Sequence, residues 1–231
     1  GGATPDASPG IYGFSGEYYY VAEDLRIPGR GFDFVWARRY RSRIGPSTAM
    51  GNGWDFSYNI WVEAQGLNLV LHDGNSRRDL YHIQPDGTWA RRESFREITQ
   101  NVDGSYMLTF PDTGTWNLHA LDGSPLAGKL GRIVDRNGNT MTFDYDGLGR
   151  LVTIHDTLDT PAHSRDISIS YNADGFIAAV TDFTGRQVSY AYYHDGDAGG
   201  SSGDLKSATS PIVIGTPTGN AYPINGLDAL T

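Results

Sequence analysis

The chain contains no cysteine, which excludes disulfide bonds, zinc–thiolate sites and a cysteine nucleophile. Lysine is almost as scarce, since Lys129 and Lys206 are the two lysines of the chain. No stretch approaches the ~20 apolar residues that a membrane-spanning helix requires, so we predict no membrane span. The first residues lack the basic and apolar regions of a signal peptide, so we expect a mature form or a piece of a larger protein.

Negative charge dominates the sequence, with a formal net charge of -9. Nucleic acid is therefore a poor candidate partner, because phosphate binding needs a basic face. One local basic stretch carries Arg38, Arg39, Arg41 and Arg43. We interpret it as an edge strand with solvated charges, which discourage pairing between edges, and keep anion binding as the alternative.

Glycine and aromatic residues are abundant, with 30 Gly and 14 Tyr in 231 residues. Hydrophobic residues make up 39%, which excludes a disordered chain. Short aromatic or β-branched runs recur from Tyr12 onward and predict strands almost throughout. Residues 90–98 fit either a helix or a charged strand. The fold class that we predict is all-β and antiparallel.

Turn signals punctuate the whole chain. Aspartate or asparagine followed by glycine favours the type I′ turn of a two-residue hairpin, because both central residues then need positive φ. The spacing of these pairs predicts consecutive antiparallel hairpins and leaves no room for helical crossovers. The ten pairs begin at Asn52, Asp73, Asp86, Asp103, Asp122, Asn137, Asp146, Asp174, Asp195 and Asn225.

A repeat occupies residues 131–151 and, more loosely, 169–192. In an Asp-x-x-Gly turn the carboxylate can accept hydrogen bonds from amides ahead of it, and the glycine can take the left-handed conformation. Two aromatic residues spaced by two then lie on one face of the following strand. The positions that recur are Asp135, Gly138, Phe143, Tyr145 and Gly149 in the first unit, and Tyr171, Gly175, Asp182, Gly185, Tyr190 and Tyr192 in the second.

A single hairpin of this kind cannot bury its aromatic face alone, but stacked hairpins build one continuous sheet. The repeat resembles the signature of the RHS/YD-repeat family, named after its tyrosine–aspartate pair. A second stretch, "DLRIPGRGFDF" followed by "GNGWDFSYN", resembles the domain that precedes the repeats in bacterial RHS proteins. Its characteristic residues here are Pro28, Gly29, Gly31 and Trp54.

The resemblance implies a curved sheet that forms part of a hollow β-shell. Bacterial members of the family enclose a toxin in such a shell, and they are exported or displayed at the cell surface. This chain is too short for a closed shell, so the expected partners are the remainder of the shell or a second chain, joined through open strand edges. A polypeptide toxin cargo is a further expected partner.

We predict four segments: a flexible lead-in over residues 1–11, a β-rich leading domain over 12–125, tyrosine–aspartate hairpins over 126–209, and an irregular, truncated segment over 210–231. The predicted role is a structural shell or scaffold that encloses cargo or presents a cell-contact surface. We predict no catalysis and no cofactor.

The alternative function is a β module that binds glycans or a cell surface through exposed aromatic residues. Aromatic core packing is the competing interpretation of the same side chains. Histidines show no metal-ligand spacing, no nucleophile elbow is present, and the acidic residues lie mostly in turns, which speaks against a hydrolase. Calcium at the turn of Asp195 and Asp197 stays open, although the EF-hand pattern fails there. The tryptophans considered for glycans are Trp36, Trp54, Trp61, Trp89 and Trp116.

Overall fold

The computed structural model describes residues 10–12, 15–92, 95–111, 113–213 and 222–223, and within these ranges it contains strands and turns but no helix. Every strand pair is antiparallel, which confirms the predicted fold class. Residues 90–98 contribute to two strands, so the helical interpretation of that segment is wrong. The strands are β1 (Gly10–Tyr12), β2 (Glu17–Ile27), β3 (Phe34–Arg41), β4 (Ser47–Thr48), β5 (Gly51–Asn52), β6 (Trp54–Phe56), β7 (Ile60–Gln65), β8 (Asn68–Asp73), β9 (Arg78–Ile83), β10 (Trp89–Ala90), β11 (Glu97–Gln100), β12 (Tyr106–Phe110), β13 (Gly114–Leu118), β14 (Leu130–Val134), β15 (Thr140–Tyr145), β16 (Leu151–His155), β17 (Asp166–Tyr171), β18 (Ile177–Thr181), β19 (Gln187–Tyr192), β20 (Leu205–Thr209), β21 (Ile212–Val213) and β22 (Tyr222–Pro223).

Strands β7 to β20 form one open sheet of 14 strands, which we call the repeat sheet. Each strand pairs with its neighbour in sequence, as short hairpin connections require. Four strands in the order β1-β2-β3-β6 form a smaller N-terminal sheet. The small pairs β4–β5 and β21–β22 lie outside both sheets.

The repeat sheet buries one face and exposes the other, because side chains alternate along each strand. In β19, Val188, Tyr190 and Tyr192 are buried, whereas Gln187 and Ala191 are exposed. The buried face packs against the N-terminal sheet. Their side chains form a single core, whose N-terminal part includes the fully buried Phe34 and Trp36. Each such ring contributes roughly 1.5–3 kcal/mol through burial.

Strand β3 lies inside the N-terminal sheet, between β2 and β6, and not at an edge. The prediction of solvated arginines on an edge strand is therefore wrong for Arg38, whose side chain is 11% exposed and pairs with Asp24. Arg41 likewise pairs with the buried Glu17. Buried carboxylates on β2 hold these arginines, and a pattern of alternating charges cannot reveal such partners.

The predicted segment bounds differ from the strands near the N-terminus. Gly10 and Ile11, placed in the flexible lead-in, belong to β1 and pair with β2, while residues 1–9 lie outside the described residues. The division near residue 125 stays a prediction, and the repeat sheet crosses it without a break, since β13 pairs with β14. Of the last segment, residues 210–213 and 222–223 are described, and they include β21 and β22.

Candidate functional site at the junction of the two sheets

The repeat hairpins close with a five-residue turn that differs from the predicted type I′ turn. In the first repeat, the Asp135 amide donates to the Asn139 carbonyl at 3.0 Å and the Gly138 amide donates to the Asp135 carbonyl at 3.1 Å. This pattern is that of a type I turn followed by a left-handed glycine. Ser76 is the one non-glycine residue with positive φ in the described part of the chain, so no aspartate or asparagine there adopts the type I′ conformation.

The first aspartate of each turn caps it, as the Asp-x-x-Gly pattern predicts. Asp135 Oδ1 accepts from the amides of Asn137 and Asn139, at 2.8 and 2.9 Å. Asp146 makes the same bonds two and four residues ahead and also binds the Arg150 guanidinium. The Asn139 side chain lowers the pKa of Asp135, and the Arg150 amide lowers the pKa of Asp146. Each carboxylate therefore stabilises its turn in the ionised form.

The hydroxyl of the last tyrosine in each hairpin donates a hydrogen bond to a backbone carbonyl at the start of the same hairpin. Tyr145 donates to the Leu130 carbonyl at 2.7 Å, at the first residue of β14. Tyr171 and Tyr192 repeat this contact with the first residues of β16 and β18, both at 2.8 Å. Burial raises the pKa of all three phenols, which keeps them protonated donors. The aromatic position thus fixes the hairpin as well as filling the core.

The glycine loop of residues 28–31 connects β2 to β3 and contacts two repeat turns. Gly31 has a φ of 82°, and a Cβ there would lie 2.0 Å from Asp135 Oδ2. The Arg30 amide donates to Thr157 Oγ1 at 2.6 Å, and Arg165 donates to the Pro28 carbonyl at 3.3 Å. These glycines are required because the loop backbone approaches the turns closely.

A second loop, residues 45–53, contacts the later hairpins. The Ile177 amide donates to the Ala49 carbonyl at 2.7 Å, at the start of β18. The Asn52 amide donates to the Gly203 carbonyl at 3.0 Å, and the Asn52 side chain binds Asp204 Oδ1 at the same distance. Together the two loops contact hairpin turns between residues 135 and 204.

A buried polar cluster joins the sheets between the loops. Asp24 Oδ2 accepts from Arg38 Nε and from the Tyr190 hydroxyl, each at 2.7 Å. Trp36 Nε1 donates to the same hydroxyl at 3.0 Å. The Arg38 guanidinium also lies 4.8 Å from the Trp54 ring centroid. A buried charge needs such partners, so this cluster fixes how β3 sits on β19.

The tryptophans considered for glycan binding are occupied by neighbours. Trp36 is fully buried, and the other four are partly buried. Trp54 contacts Tyr20 and Tyr40, and Trp61 stacks on His72 with ring centroids 3.7 Å apart. Trp89 contacts Tyr106, and Trp116 contacts Phe110. These contacts agree with aromatic packing, and glycan binding stays an untested prediction.

One group of side chains on the outer face could hold a metal ion. His155 Nδ1 lies 2.6 Å from Asp166 Oδ1 and 3.6 Å from Asp159 Oδ2, and its Nε2 lies 3.0 Å from Asp144 Oδ2. Burial opposes a charged ring, but the hydrogen bonds to Asp144 and Asp166 outweigh it and raise the pKa of His155. The arrangement therefore suits an imidazolium between carboxylates as well as a divalent cation. Spacing in sequence gave no sign of it, because Asp144, His155 and Asp166 come from three adjacent strands and Asp159 from the connection between β16 and β17.

Several of the sequence-predicted residues meet at the junction of the two sheets. The glycine loop contacts the Asp135 turn, and Tyr190 donates to Asp24 in the buried polar cluster. Tyr192 contacts the second loop, where its hydroxyl is 3.5 Å from the Ala49 carbonyl. Gly149, Gly175 and Gly185 take positive φ in their turns. Sequence reasoning missed Asp24, Arg38 and Thr157 as junction residues. Asp24 and Thr157 bind partners more than 100 positions away, and Arg38 binds Asp24 on the neighbouring strand. No local pattern encodes such contacts.

Two family profiles match separate parts of the chain. Residues 11–81 match the profile described as "Domain of unknown function (DUF6531)", and residues 127–161 match the profile described as "RHS Repeat". The second match covers the turns of Asp135 and Asp146 together with β14 to β16. Residues 127–161 therefore carry an RHS repeat, as the resemblance in the sequence indicated.

Two curated proteins are similar to the chain over part of its length. It is 25% identical over 144 residues to "tRNA nuclease WapA" of Bacillus subtilis (strain 168), a match that covers 61% of this chain and 6% of that protein. It is 25% identical over 184 residues to "Double-stranded DNA deaminase toxin A" of Burkholderia cenocepacia (strain H111), covering 69% and 13%. The chain thus spans a small part of the relatives that it matches. Its described residues include no helix that could cross a membrane.

Proposed function

We propose that this chain is the starting end of an RHS shell, in which the N-terminal sheet plugs the concave face of the first hairpins. The observation that carries this proposal is the shared core of the two sheets, in which Trp36 of β3 donates to the Tyr190 hydroxyl of β19 at 3.0 Å. A repeat sheet whose apolar face is already covered would have a structural role at this end of the shell.

The far edge of the repeat sheet supports growth of a shell from this end. Strand β20 is the last strand of the sheet and pairs with β19 alone among the described strands. Leu205 pairs with Tyr192 in the way that Leu151 pairs with Tyr145, so β20 occupies the first-strand position of a further hairpin. An unpaired edge of this kind is a template for another strand.

A chimera tests the proposal. Residues 210–231 are replaced by a second copy of residues 135–192, which places an Asp-x-x-Gly turn directly after β20 in the register of β14. Added hairpins should extend the sheet, so the free energy of unfolding and its urea dependence should both increase, as in other repeat proteins. Amide hydrogens of β20 should also exchange more slowly.

The matched control carries the same appended copy with valine at the positions of Gly138, Gly149 and Gly185, where positive φ is required. This copy cannot form its turns and should leave β20 unchanged. Equal exchange rates for β20 in the chimera, the control and the natural chain would show that the edge does not accept hairpins, and the shell proposal would fail.

We further propose that any polypeptide cargo contacts hairpins beyond β20, since the N-terminal sheet covers the apolar face of those before it. The nuclease and deaminase activities are named for the whole relatives. We propose that this chain is part of an exported protein and catalyses neither reaction. The test is to incubate the purified chain with tRNA and with double-stranded DNA, and turnover of either would refute the assignment.

A further inference from the structure

A pocket of about 610 Å³ opens between residues 44–49, the β7–β8 hairpin and the turns before β14 and β16. Its described lining residues include four basic side chains and one acidic side chain, although the chain as a whole carries a net charge of -9. Aromatic rings, among them Trp61, Tyr145 and Tyr171, provide the remaining walls. The basic residues are Arg77, Arg78, Lys129 and Arg150.

The acidic residue of the pocket is fully engaged. Asp55 Oδ1 accepts from the Phe56 amide at 3.0 Å and from Asn59 Nδ2 at 2.8 Å, and its Oδ2 accepts from the Ser76 amide at 2.6 Å. Burial raises the pKa of Asp55, which is 4% exposed. This carboxylate therefore serves the backbone around it and does not neutralise the basic residues.

Lys129 differs from the three arginines, because each of them has a carboxylate partner. Within the described part of the chain, no carboxylate oxygen lies within 4.0 Å of the Lys129 ammonium. Among the described residues, the ring centroid of Tyr145 lies 5.8 Å from the ammonium, in a cation–π contact. Burial lowers the pKa of Lys129. The arginine pairs are Arg77–Asp79 at 2.8 Å, Arg78–Glu63 at 3.0 Å and Arg150–Asp146 at 2.7 Å.

The sequence around Lys129 differs from the two repeat turns that supply an arginine with its carboxylate partner. Arg150 and Arg186 each follow a turn glycine and pair with the aspartate four residues earlier, Asp146 and Asp182. Lys129 follows Gly128, which also has positive φ, but Pro125 stands four residues earlier where the others have aspartate. The turn before Lys129 therefore carries a cation without the aspartate that pairs with it in the repeat turns.

The position of Lys129 in the pocket is held by its neighbours on both sides. Its backbone forms a β-bridge with Trp61, and the Val62 amide donates to the Gly128 carbonyl at 2.9 Å. Its Cε lies 3.1 Å from where a Cβ on Gly149 would stand, so the side chain passes directly over that glycine. The cation is therefore placed against the pocket wall by ordered backbone.

We propose that this pocket binds a small organic anion whose carboxylate or phosphate pairs with Lys129 while its apolar body lies against the aromatic walls. A partly buried charge without a counter-charge is unfavourable, and an anionic group would supply the missing one. The volume matches that of small-molecule sites, which combine apolar walls with few polar groups, and exceeds what inorganic phosphate alone would fill.

Lysine scarcity gives a direct test. Reductive ¹³C-methylation labels Lys129, Lys206 and the amino terminus, and the variant Lys206→Arg assigns the two lysine signals. We would titrate the labelled chain with phenyl phosphate and with benzoate, using benzyl alcohol as the uncharged match. The expected result is a saturable shift of the Lys129 signal, and a raised pKa of that ammonium, with an anion but not with the alcohol. The Lys206 signal should not saturate.

Variants then assign the contact. Lys129→Met should weaken binding by at least about tenfold, the loss that one charged hydrogen bond predicts, and Lys129→Arg should restore it. Lys206→Met, which changes the exposed lysine, should bind like the natural chain. The proposal is overturned if neither anion moves the Lys129 signal saturably, or if the Met variant binds both anions as well as the natural chain does.

Discussion

Replacing Asp182 by alanine tests whether the turn aspartates hold the repeat together. The Asp182 side chain is 0% exposed, and its Oδ1 accepts from the amides of Thr184 and Arg186 at 2.8 and 3.0 Å. Its Oδ2 binds Arg186 Nε at 2.7 Å. Water can reach the exposed partners and replace part of each bond, so we expect a cost of about 2–4 kcal/mol rather than the full sum.

For a chain of this size, that cost corresponds to a fall in melting temperature of roughly 4–16 °C. Asp182→Asn keeps the acceptor for both amides, as Asn172 does in its own turn, and loses mainly the arginine pair, so it should cost about half as much. Urea unfolding followed by tryptophan fluorescence measures both. Asp195→Asn is the matched control, because Asp195 is exposed and its side chain makes no hydrogen bond or ion pair within the described part of the chain. A loss below about 0.5 kcal/mol for Asp182→Ala, within the range of ordinary surface changes, would refute the argument.

Three further predictions follow from the same contacts. Tyr171→Phe and Tyr192→Phe should each lower the free energy of urea unfolding by about 1–2 kcal/mol, because each removes a hydrogen bond to a buried carbonyl. Tyr193→Phe is the control and should lower it far less. Gly31→Ala should lower the free energy of unfolding more than Gly16→Ala does. Both glycines have positive φ, but of the two only Gly31 faces a close neighbour. Equal losses of stability would contradict the contact between the glycine loop and the Asp135 turn. Acid should destabilise the fold, because the pKa values of Asp135 and Asp146 are lower in the folded chain than in the unfolded chain. The stability that these carboxylates contribute is present above the unfolded pKa of about 4 and is lost as the pH falls through the lower folded pKa values. A urea midpoint that stays constant or rises as the pH drops below about 4 would contradict this last expectation.

The sequence predicts the hairpins well because their determinants are local. An aspartate, a glycine three residues later and two aromatic rings all act within one turn and the strand that follows. The type I′ assignment failed for the same local reason. The aspartate at the first turn position accepts bonds from amides two and four residues ahead, which stabilises the longer turn and leaves positive φ to glycine alone.

The junction could not be predicted in this way, because its contacts are nonlocal. Trp36 and Tyr190 are separated by 154 positions, and Asp24 and Tyr190 by 166. Nothing in the alternation of charges along β3 distinguishes Arg38, which is buried against Asp24, from a solvated arginine. Gly31 was singled out through resemblance, and its physical role became visible only when the Asp135 turn was placed beside it.

The reach of the N-terminal sheet bears on how a longer sheet is held together. The N-terminal sheet and the two loops of residues 28–31 and 45–53 together contact the repeat sheet from Asp135, through Thr157, Ile177 and Tyr190, to Gly203. These contacts reach every hairpin from β14 to β19. Each of these hairpins is therefore held by its neighbours and by the N-terminal sheet together. A hairpin added after β20 would have the neighbour alone, so its stability would depend on the edge of β20 and on its own aspartate and tyrosine bonds. We accordingly expect the turn substitutions to be tolerated better before β20 than in any hairpin that follows it.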